Sequence, residues 1–514
     1  MAEIQLNVNP FWYNIISAQD SLYSTGLQFH DVDRDGDLDM FISNGNDICP
    51  WRNYMYRNDD GVFPTYSPSW QSQNREYSGH CAVGDINYDG YPEFVVSNYL
   101  GAPGFGHTNN LDAYLNNGGN LLYQPWWRSA DSMFSFSCAL GDLDGDGDLD
   151  LAVACGESYF SDFEPQRVYF NVDGVLESLP SWTSQEALAM LDVALGDVDN
   201  DGDLDIAFCG DDSYVRIYFN NDGVIETVPS WQSQDFQCSN TLAFGDVNGD
   251  GWLDLAVADN SQLGGTGKFK LYRNYNGTLG TTPAWQSLSG GYGASVSWCD
   301  LDYDGDLDLA TGRWWSNVMI YENTGATLTT TPVWSSSAGS IVVEEIQFAD
   351  IDGDGVCEYK ESIAITPGKK LYYLSKMPIH SVDSIIVDGV SLGFDQHCYS
   401  LVDGWVSVGV EPTASMIVYY KWSYKPDLGV SSWDGTNYLF ENNLVPDFVA
   451  GDADGSGLVD IDDIVRIVAY VFLSGPAPDP LRSGDADCSG GIDVDDAVFL
   501  INMIFLSGPY PCYP

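Results

Sequence analysis

Seven copies of one acidic nonapeptide constrain this chain more than any other feature. They are Asp31–Asp39 (DVDRDGDLD), Asp85–Glu93 (DINYDGYPE), Asp142–Asp150 (DLDGDGDLD), Asp197–Asp205 (DVDNDGDLD), Asp246–Asp254 (DVNGDGWLD), Asp300–Asp308 (DLDYDGDLD) and Asp350–Glu358 (DIDGDGVCE). Successive copies begin 54, 57, 55, 49, 54 and 50 residues apart, a period the size of one four-stranded propeller blade.

Two further signals keep step. Pro-x-Trp recurs at Trp12, Trp70, Trp127, Trp182, Trp231, Trp285 and Trp334, and from the second to the sixth copy the Trp lies 15 residues before the next loop. Tyr-x-Asn follows the loops at Tyr56/Asn58, Tyr114/Asn116, Tyr169/Asn171, Tyr218/Asn220, Tyr272/Asn274 and Tyr321/Asn323, each with turn residues after it. Each unit reads strand, acidic loop, apolar strand, Tyr strand, turn, Trp strand. The first Pro-x-Trp precedes the first loop and none follows the last, so the segment around Trp12 is expected to supply the fourth strand of the last blade. That exchange closes a ring and removes two open sheet edges. The aromatic once per blade is read as packing between blades rather than as ligand contact.

In each loop, positions 1, 3 and 5 face one centre, Gly at position 6 permits a sharp turn, position 7 offers its carbonyl and position 9 closes the shell. The candidate ligands are Asp31, Asp33, Asp35, Asp37 and Asp39; Asp85, Asn87, Asp89, Tyr91 and Glu93; and Asp142, Asp144, Asp146, Asp148 and Asp150. The fourth and fifth loops add Asp197, Asp199, Asp201, Asp203 and Asp205, then Asp246, Asn248, Asp250, Trp252 and Asp254. The last two add Asp300, Asp302, Asp304, Asp306 and Asp308, then Asp350, Asp352, Asp354, Val356 and Glu358. Hard oxygen donors without His or Cys select Ca²⁺. The Asp142, Asp197 and Asp300 loops are expected to be strongest; those at Asp85, Asp246 and Asp350 are expected to be weaker.

These loops and blades resemble the FG-GAP/VCBS repeats of integrin α-subunit propellers and of many secreted bacterial proteins and lectins, over roughly residues 1–378. The resemblance implies a calcium-stabilised propeller outside the cell, without implying one function.

A second duplication, with period 33, covers residues 452–463 (DADGSGLVDIDD) and 485–496 (DADCSGGIDVDD). Its spacing is that of a twelve-residue EF-hand-type loop: Asp452, Asp454, Ser456, the Leu458 carbonyl, Asp460 and Asp463, then Asp485, Asp487, Ser489, the Gly491 carbonyl, Asp493 and Asp496. Each loop runs into an apolar helix that stops at Ser-Gly-Pro. This pattern looks like a type I dockerin over residues 447–514. The resemblance implies a cohesin-like partner, read through Ile461/Asp462 and Val494/Asp495. Because helices apolar all round are normally buried, packing on its own chain as a cap is an equal expectation. Residues 379–446 read as a small β domain between the two.

The fold expected is therefore mainly β: a seven-bladed propeller over 1–378, a small β domain, and a small helical module. Up to nine Ca²⁺ are expected, seven in the propeller and two beyond it. The formal charge of −56, from 19 basic and 75 acidic residues, excludes a polyanion partner such as nucleic acid. Forty of those acids lie in the nine loops. No apolar run is long enough to span a membrane. The chain opens on Met1-Ala2-Glu3 without a secretory leader, and removal of one from an extracellular or cell-surface protein is the expectation.

No catalytic constellation is visible. His30, His80, His107, His380 and His397 lack metal-ligand spacing, and no nucleophile elbow or phosphate-cradling loop occurs. The eleven Cys leave one without an intrachain partner; Cys488 and Cys512 are candidates to pair, and Cys81 and Cys138 read as buried thiols. The longest departures from the repeat, Gly101–Asn110 and Ser158–Gln166, are the expected binding loops. The functional expectation is a non-catalytic binding or structural protein taking a glycan, a protein or other copies of itself. A fibre subunit and a carbohydrate-active enzyme such as a polysaccharide lyase are the alternatives.

Overall fold

The computed structural model describes residues 4–14, 23–45, 47–211, 213–325, 327–337, 339–444, 451–456, 459–473, 475–478, 481–487, 491–506 and 511. Six consecutive four-stranded antiparallel meanders are built from chain segments in sequence order. The first, for example, comprises Ser24–His30, Asp39–Asn44, Tyr54–Tyr56 and Trp70–Gln71. In each, the residue before the acidic loop pairs with the acid at its ninth position, as in His30 with Asp39 and Gly141 with Asp150. The nonapeptide is thus a hairpin connection whose last carboxylate is anchored in the sheet.

A further four-stranded sheet of the same kind is composite. Val343–Ala349 pairs with Asp427–Ser432, then Tyr438–Phe440, and finally the N-terminal Trp12–Tyr13. The expected closure by the Trp12 segment is present. The first strands of successive sheets pack side by side, and Val343–Ala349 packs against Ser24–His30, so the set closes on itself. Closure joins the first and last sheets of the ring, leaving each sheet only short edges.

The domain division differs from the expectation. Within the expected propeller span of 1–378, the strands after the seventh loop, Val356–Ile363 and Leu371–Tyr373, do not complete the last blade. They belong to an insertion of two small sheets, one built on Val356–Ile363, Met416–Ser423 and Ile379–Val387, the other on Leu371–Tyr373, Trp405–Val408 and His397–Tyr399. The insertion has its own core of Ile385, Val406, Val418, Tyr420 and Trp422. Residues 427–440, expected in a separate domain, return to the ring. The reason is local: Asp427-Leu-Gly-Val repeats the sheet-entering pattern of Asp150-Leu-Ala-Val, and both strands are buried along their whole length.

The repeated aromatics do the packing between sheets. All seven Pro-x-Trp indoles are buried, and six of them meet the Tyr of the following sheet edge to face, from Trp12 with Tyr56 at 5.6 Å to Trp285 with Tyr321 at 5.4 Å. Trp334 meets Phe440 at 6.0 Å, identifying Phe440-x-Asn442 as the seventh Tyr-x-Asn, with Phe in place of Tyr. Five of the indoles also donate to a carbonyl of the next sheet, as Trp127 does to Leu176 at 2.8 Å.

Beyond the ring, helices α1 (Ile461–Leu473) and α2 (Val494–Leu506) pack on each other around Ala453, Ile464, Ile467 and their counterparts Ala486, Ala497 and Leu500. Their outer faces are exposed, including Phe472 at 61% and Phe505 at 59%.

Candidate metal centres

Each loop builds its site from the same three local devices. The residue at position 4 takes a left-handed backbone in all seven: Arg34, Tyr88, Gly145, Asn200, Gly249, Tyr303 and Gly353, with φ between 59° and 74°. The N–H of the position-6 glycine donates to the first-position carboxylate, at 3.0 Å from Gly36 to Asp31 and 2.7 Å from Gly90 to Asp85. The same bond recurs in the other five loops. The ninth-position carboxylate accepts from the N–H at position 2, as from Leu143 to Asp150 at 2.8 Å.

The Tyr-x-Asn asparagine completes this frame, a role that its reading as a turn residue missed. Its N–H donates to the other oxygen of the ninth-position acid, at 2.7 Å from Asn171 to Asp150 and 2.8 Å from Asn220 to Asp205. Its side-chain amide donates to the loop of the preceding sheet, at 2.8 Å from Asn116 to the Val32 carbonyl and 2.8 Å from Asn220 to that of Leu143. Asn58 reaches Ile351 at 2.7 Å, tying the first sheet to the last. Ion loop and ring closure are therefore one hydrogen-bonded system.

The seventh loop corrects the sequence reading. Glu358 is exposed in Val356–Ile363, paired with Lys421, and Val356 opens that strand of the insertion. The ninth-position bonds are made instead by Asp427, which accepts from Ile351 N–H at 3.0 Å and from Asn442 N–H at 2.8 Å, and which pairs with Ala349. The sequence cue was the Asp-Leu-Gly-Val and Phe-x-Asn spacing after the insertion.

The donor set fits a hard divalent cation. Carboxylate oxygens lie within 4.8 Å of one another in Asp31/Asp33/Asp39, Asp142/Asp144/Asp146, Asp197/Asp199/Asp205, Asp300/Asp302/Asp304 and Asp350/Asp352/Asp354. Buried oxygens of Asp33, Asp148, Asp197 and Asp302 have no hydrogen-bond partner. Burial, with neighbouring carboxylates adding to it, pushes Asp39 up to about 7, Glu93 and Asp308 to about 8, and Asp205 to about 9. Such a set is unfavourable when ionised without a cation.

At position 7, where the carbonyl is the expected donor, the side chains are engaged elsewhere. The Asp37 and Asp203 side chains accept from Asp60 and Asp222 N–H at 2.8 and 2.6 Å, bracing the following turn, and the Asp148 carboxylate accepts from the Tyr88 hydroxyl at 2.5 Å. Asn87 donates to Glu93 at 3.0 Å and Asn248 to Asp250 at 2.9 Å. The inserted sheets sit on this rim. Ser407 donates to Asp142 at 2.6 Å, Ser423 to Asp350 at 2.7 Å, and the Lys369 ammonium to Asp197 at 2.8 Å. Asp197, expected in one of the strongest ion sites, is thus also an ion-pair partner.

In the C-terminal loops, Asp463 accepts from Asp454 and Asp460 N–H at 3.0 and 2.7 Å, and Asp496 accepts from Ala486 and Asp493 N–H at 2.7 Å each. Ser456 N–H donates to Asp452 at 2.9 Å. Leu458, Ser489, Cys488 and Cys512 lie outside the described residues. Among the described cysteines, Cys81 and Cys138 are buried thiols, as expected.

These sheets and loops define a propeller-type protein with FG-GAP-like repeats. The FG-GAP-like repeat profile matches residues 31–96, 197–257 and 246–311. Among solved structures, BBS1N in complex with ARL6DN is similar at 8% identity, covering 86% of this chain and 98% of that one with a TM-score of 0.49. The WD40 β-propeller domain of Doa1 is similar at 9% identity, covering 84% and 98% with a TM-score of 0.42. An N-acetylglucosamine-recognising lectin of Agrocybe aegerita is similar at 18% identity, covering 61% and 80% with a TM-score of 0.39. No curated protein matches the chain.

Proposed function

We propose that this chain is an extracellular or cell-surface, seven-bladed propeller stabilised by Ca²⁺ and acting as a non-catalytic binding or structural protein. One observation carries the reading: a recurrent cage in which the first- and ninth-position carboxylates are pre-aligned by backbone N–H groups, with acids left crowded and oxygens left unpartnered. Asp31, Asp33 and Asp39, and their equivalents in the other loops, would hold the ions, with Asp427 taking the ninth position in the last. Bound Ca²⁺ supplies charge neutralisation at the rim. The protein's own residues supply the rest: the Asn amides tie each loop to its neighbour, and the buried aromatic pairs seal the sheets.

The paired C-terminal loops and helices are proposed as a dockerin-like docking module, supported by the exposed apolar faces of α1 and α2. A cohesin-like module or a second copy of the chain fits such a face. Calcium-dependent sedimentation separates the two, because self-association needs no added partner. The experiment for the main reading is a melt with Ca²⁺ and with excess EDTA: occupancy a thousandfold above the dissociation constant contributes about 4 kcal/mol per linked site.

A further inference from the structure

At the end of the ring opposite the acidic loops, the central channel opens through a small mouth unlike the rest of the rim. The acidic loops follow the first strand of each sheet. The mouth is lined from the other ends: Asn240 and Glu344 lie at the start of their first strands, and Asp47 and Asp211 follow second strands. Three carboxylates and one amide therefore come from four different sheets. Glu344, Asn240 and Asp211 are 5%, 7% and 8% exposed.

The remaining wall is aromatic. Trp314 and Trp433 lie nearly parallel with ring centres 6.0 Å apart, and Tyr99 meets Phe136 at 5.1 Å. Tyr159 reaches over from the Ser158–Gln166 loop and packs on Phe105 of the Gly101–Asn110 loop at 5.4 Å. Phe160 packs on Phe105 as well, at 5.6 Å, and remains 66% exposed. The two loops that interrupt the repeat thus meet at this mouth.

Charge, size and hydrogen bonding select the occupant. No Lys, Arg or His lines the mouth among the described residues. His80 lies deeper in the channel, 3.5 Å from Asp192, where that carboxylate and Glu345 hold it. The buried Oδ1 atoms of Asn240 and Asp47 accept no hydrogen bond, although buried acceptors are normally paired. Asp211 is held in place by the Ser158 hydroxyl at 2.6 Å. The cavity is small, about 60 Å³. An ammonium group with its adjoining methylene fits. The unpaired acceptors of Asn240 and Asp47, the ring faces and an excess of carboxylates, against which the deeper His80 is the one cation felt by Glu344 among the described residues, favour a donor-only cation.

We propose that this mouth binds an alkylammonium group, either a lysine side chain of a protein partner or a free primary amine. The ammonium sits among Glu344, Asp47 and Asn240, and the alkyl stem lies over Tyr159 and Phe105. Burial holds the Glu344 carboxyl up to about 8 in the empty site, and an adjacent cation would favour its ionised form. The inference deepens the binding role proposed above by naming its ligand chemistry, and it stands apart from the calcium loops at the other rim.

The test is calorimetric titration of the intact chain in Ca²⁺ with n-butylammonium chloride and with the peptide acetyl-Gly-Lys-Gly-amide. Their neutral isosteres, n-butanol and the norleucine peptide, are the controls. Both ammonium probes, or the peptide alone, should bind in preference to their isosteres, and Glu344→Gln or Asp47→Asn should weaken binding at least about tenfold, as loss of a charge contact worth 1.4 kcal/mol would do. Binding of the peptide alone assigns the site to a protein lysine; binding of both shows that a free amine suffices. If Glu344→Gln does not fold, the loop variant Asp47→Asn carries the test. Equal binding of charged and neutral probes, no binding of either ammonium probe, or unchanged affinity in Asp47→Asn would overturn the proposal. An unchanged Ca²⁺-dependent melt in the same samples separates that failure from failure of the calcium reading.

Discussion

The Ile351 N–H donates to Asp427 Oδ2 at 3.0 Å across 76 residues of intervening sequence. The same bond spans 7 residues in the first loop, from Val32 to Asp39. The inserted β domain therefore leaves and rejoins the ring at a single carboxylate cage. Asp427→Asn should remove one Ca²⁺ equivalent and lower the melting temperature in Ca²⁺, whereas Glu358→Gln should change neither. Calorimetric Ca²⁺ titration of the two variants checks this, and the reverse order of effects would restore the contiguous nonapeptide as the site.

The asparagine amides give a paired prediction. Asn220 bridges to the Leu143 and Leu204 carbonyls at 2.8 and 3.2 Å, so Asn220→Ala leaves two buried acceptors short and should cost about 2–4 kcal/mol. Asn442 Nδ2 has no hydrogen-bond partner among the described residues, and Asn442→Ala should cost about 1 kcal/mol. Denaturant unfolding of both variants decides it; equal costs would mean that the bridge between sheets contributes little.

Closure by the N-terminal strand is testable at Trp12. Its indole is buried against Tyr56 and Phe63, and Trp12→Ala should cost about 3–5 kcal/mol, the range for deleting a large buried side chain. Limited proteolysis should then cut first near the junction of the first and last sheets. A wild-type melt and cleavage pattern in Trp12→Ala would place the strand outside the cooperative unit.

The pH dependence follows from the raised carboxylates. Asp39 near 7 and Glu93 and Asp308 near 8 compare with about 4 when unfolded. Without Ca²⁺, the folded state then holds more protons than the unfolded state between those values, so stability falls as pH rises from 5 to 8. With Ca²⁺ the ionised form is the one bound, and the fall should vanish or reverse. Parallel melts across that range in EDTA and in Ca²⁺ check the sign; identical slopes would mean that these acids are not ion ligands.

Lys369 tests the cross-talk between insertion and rim. Its ammonium lies 2.8 Å from Asp197 Oδ2 and competes for a first-position carboxylate. Lys369→Met should tighten Ca²⁺ binding at that loop several-fold, read as a shift of one equivalent to lower concentration in the titration.

Much of this architecture was legible in sequence because the repeat states its own geometry. Position 6 had to be Gly, Trp and Tyr had to recur in register, and a Pro-x-Trp with no loop before it had to complete the sheet of the last loop. What stayed hidden was the insertion after Gly355. Its strands carry the same β-branched and aromatic residues as blade strands, and the return signal was blurred by Phe440 standing where six other sheets have Tyr. Lys369 on Asp197 and the convergence of Asp47, Asp211 and Glu344 are contacts between distant segments, which no local pattern encodes.

The most direct test of the central claim is the melting temperature of the intact chain in millimolar Ca²⁺ and in excess EDTA at pH 7.5. The account expects a large drop on chelation, reversed by adding Ca²⁺ back. A melt unchanged by EDTA, with no Ca²⁺ bound at equilibrium, would contradict it.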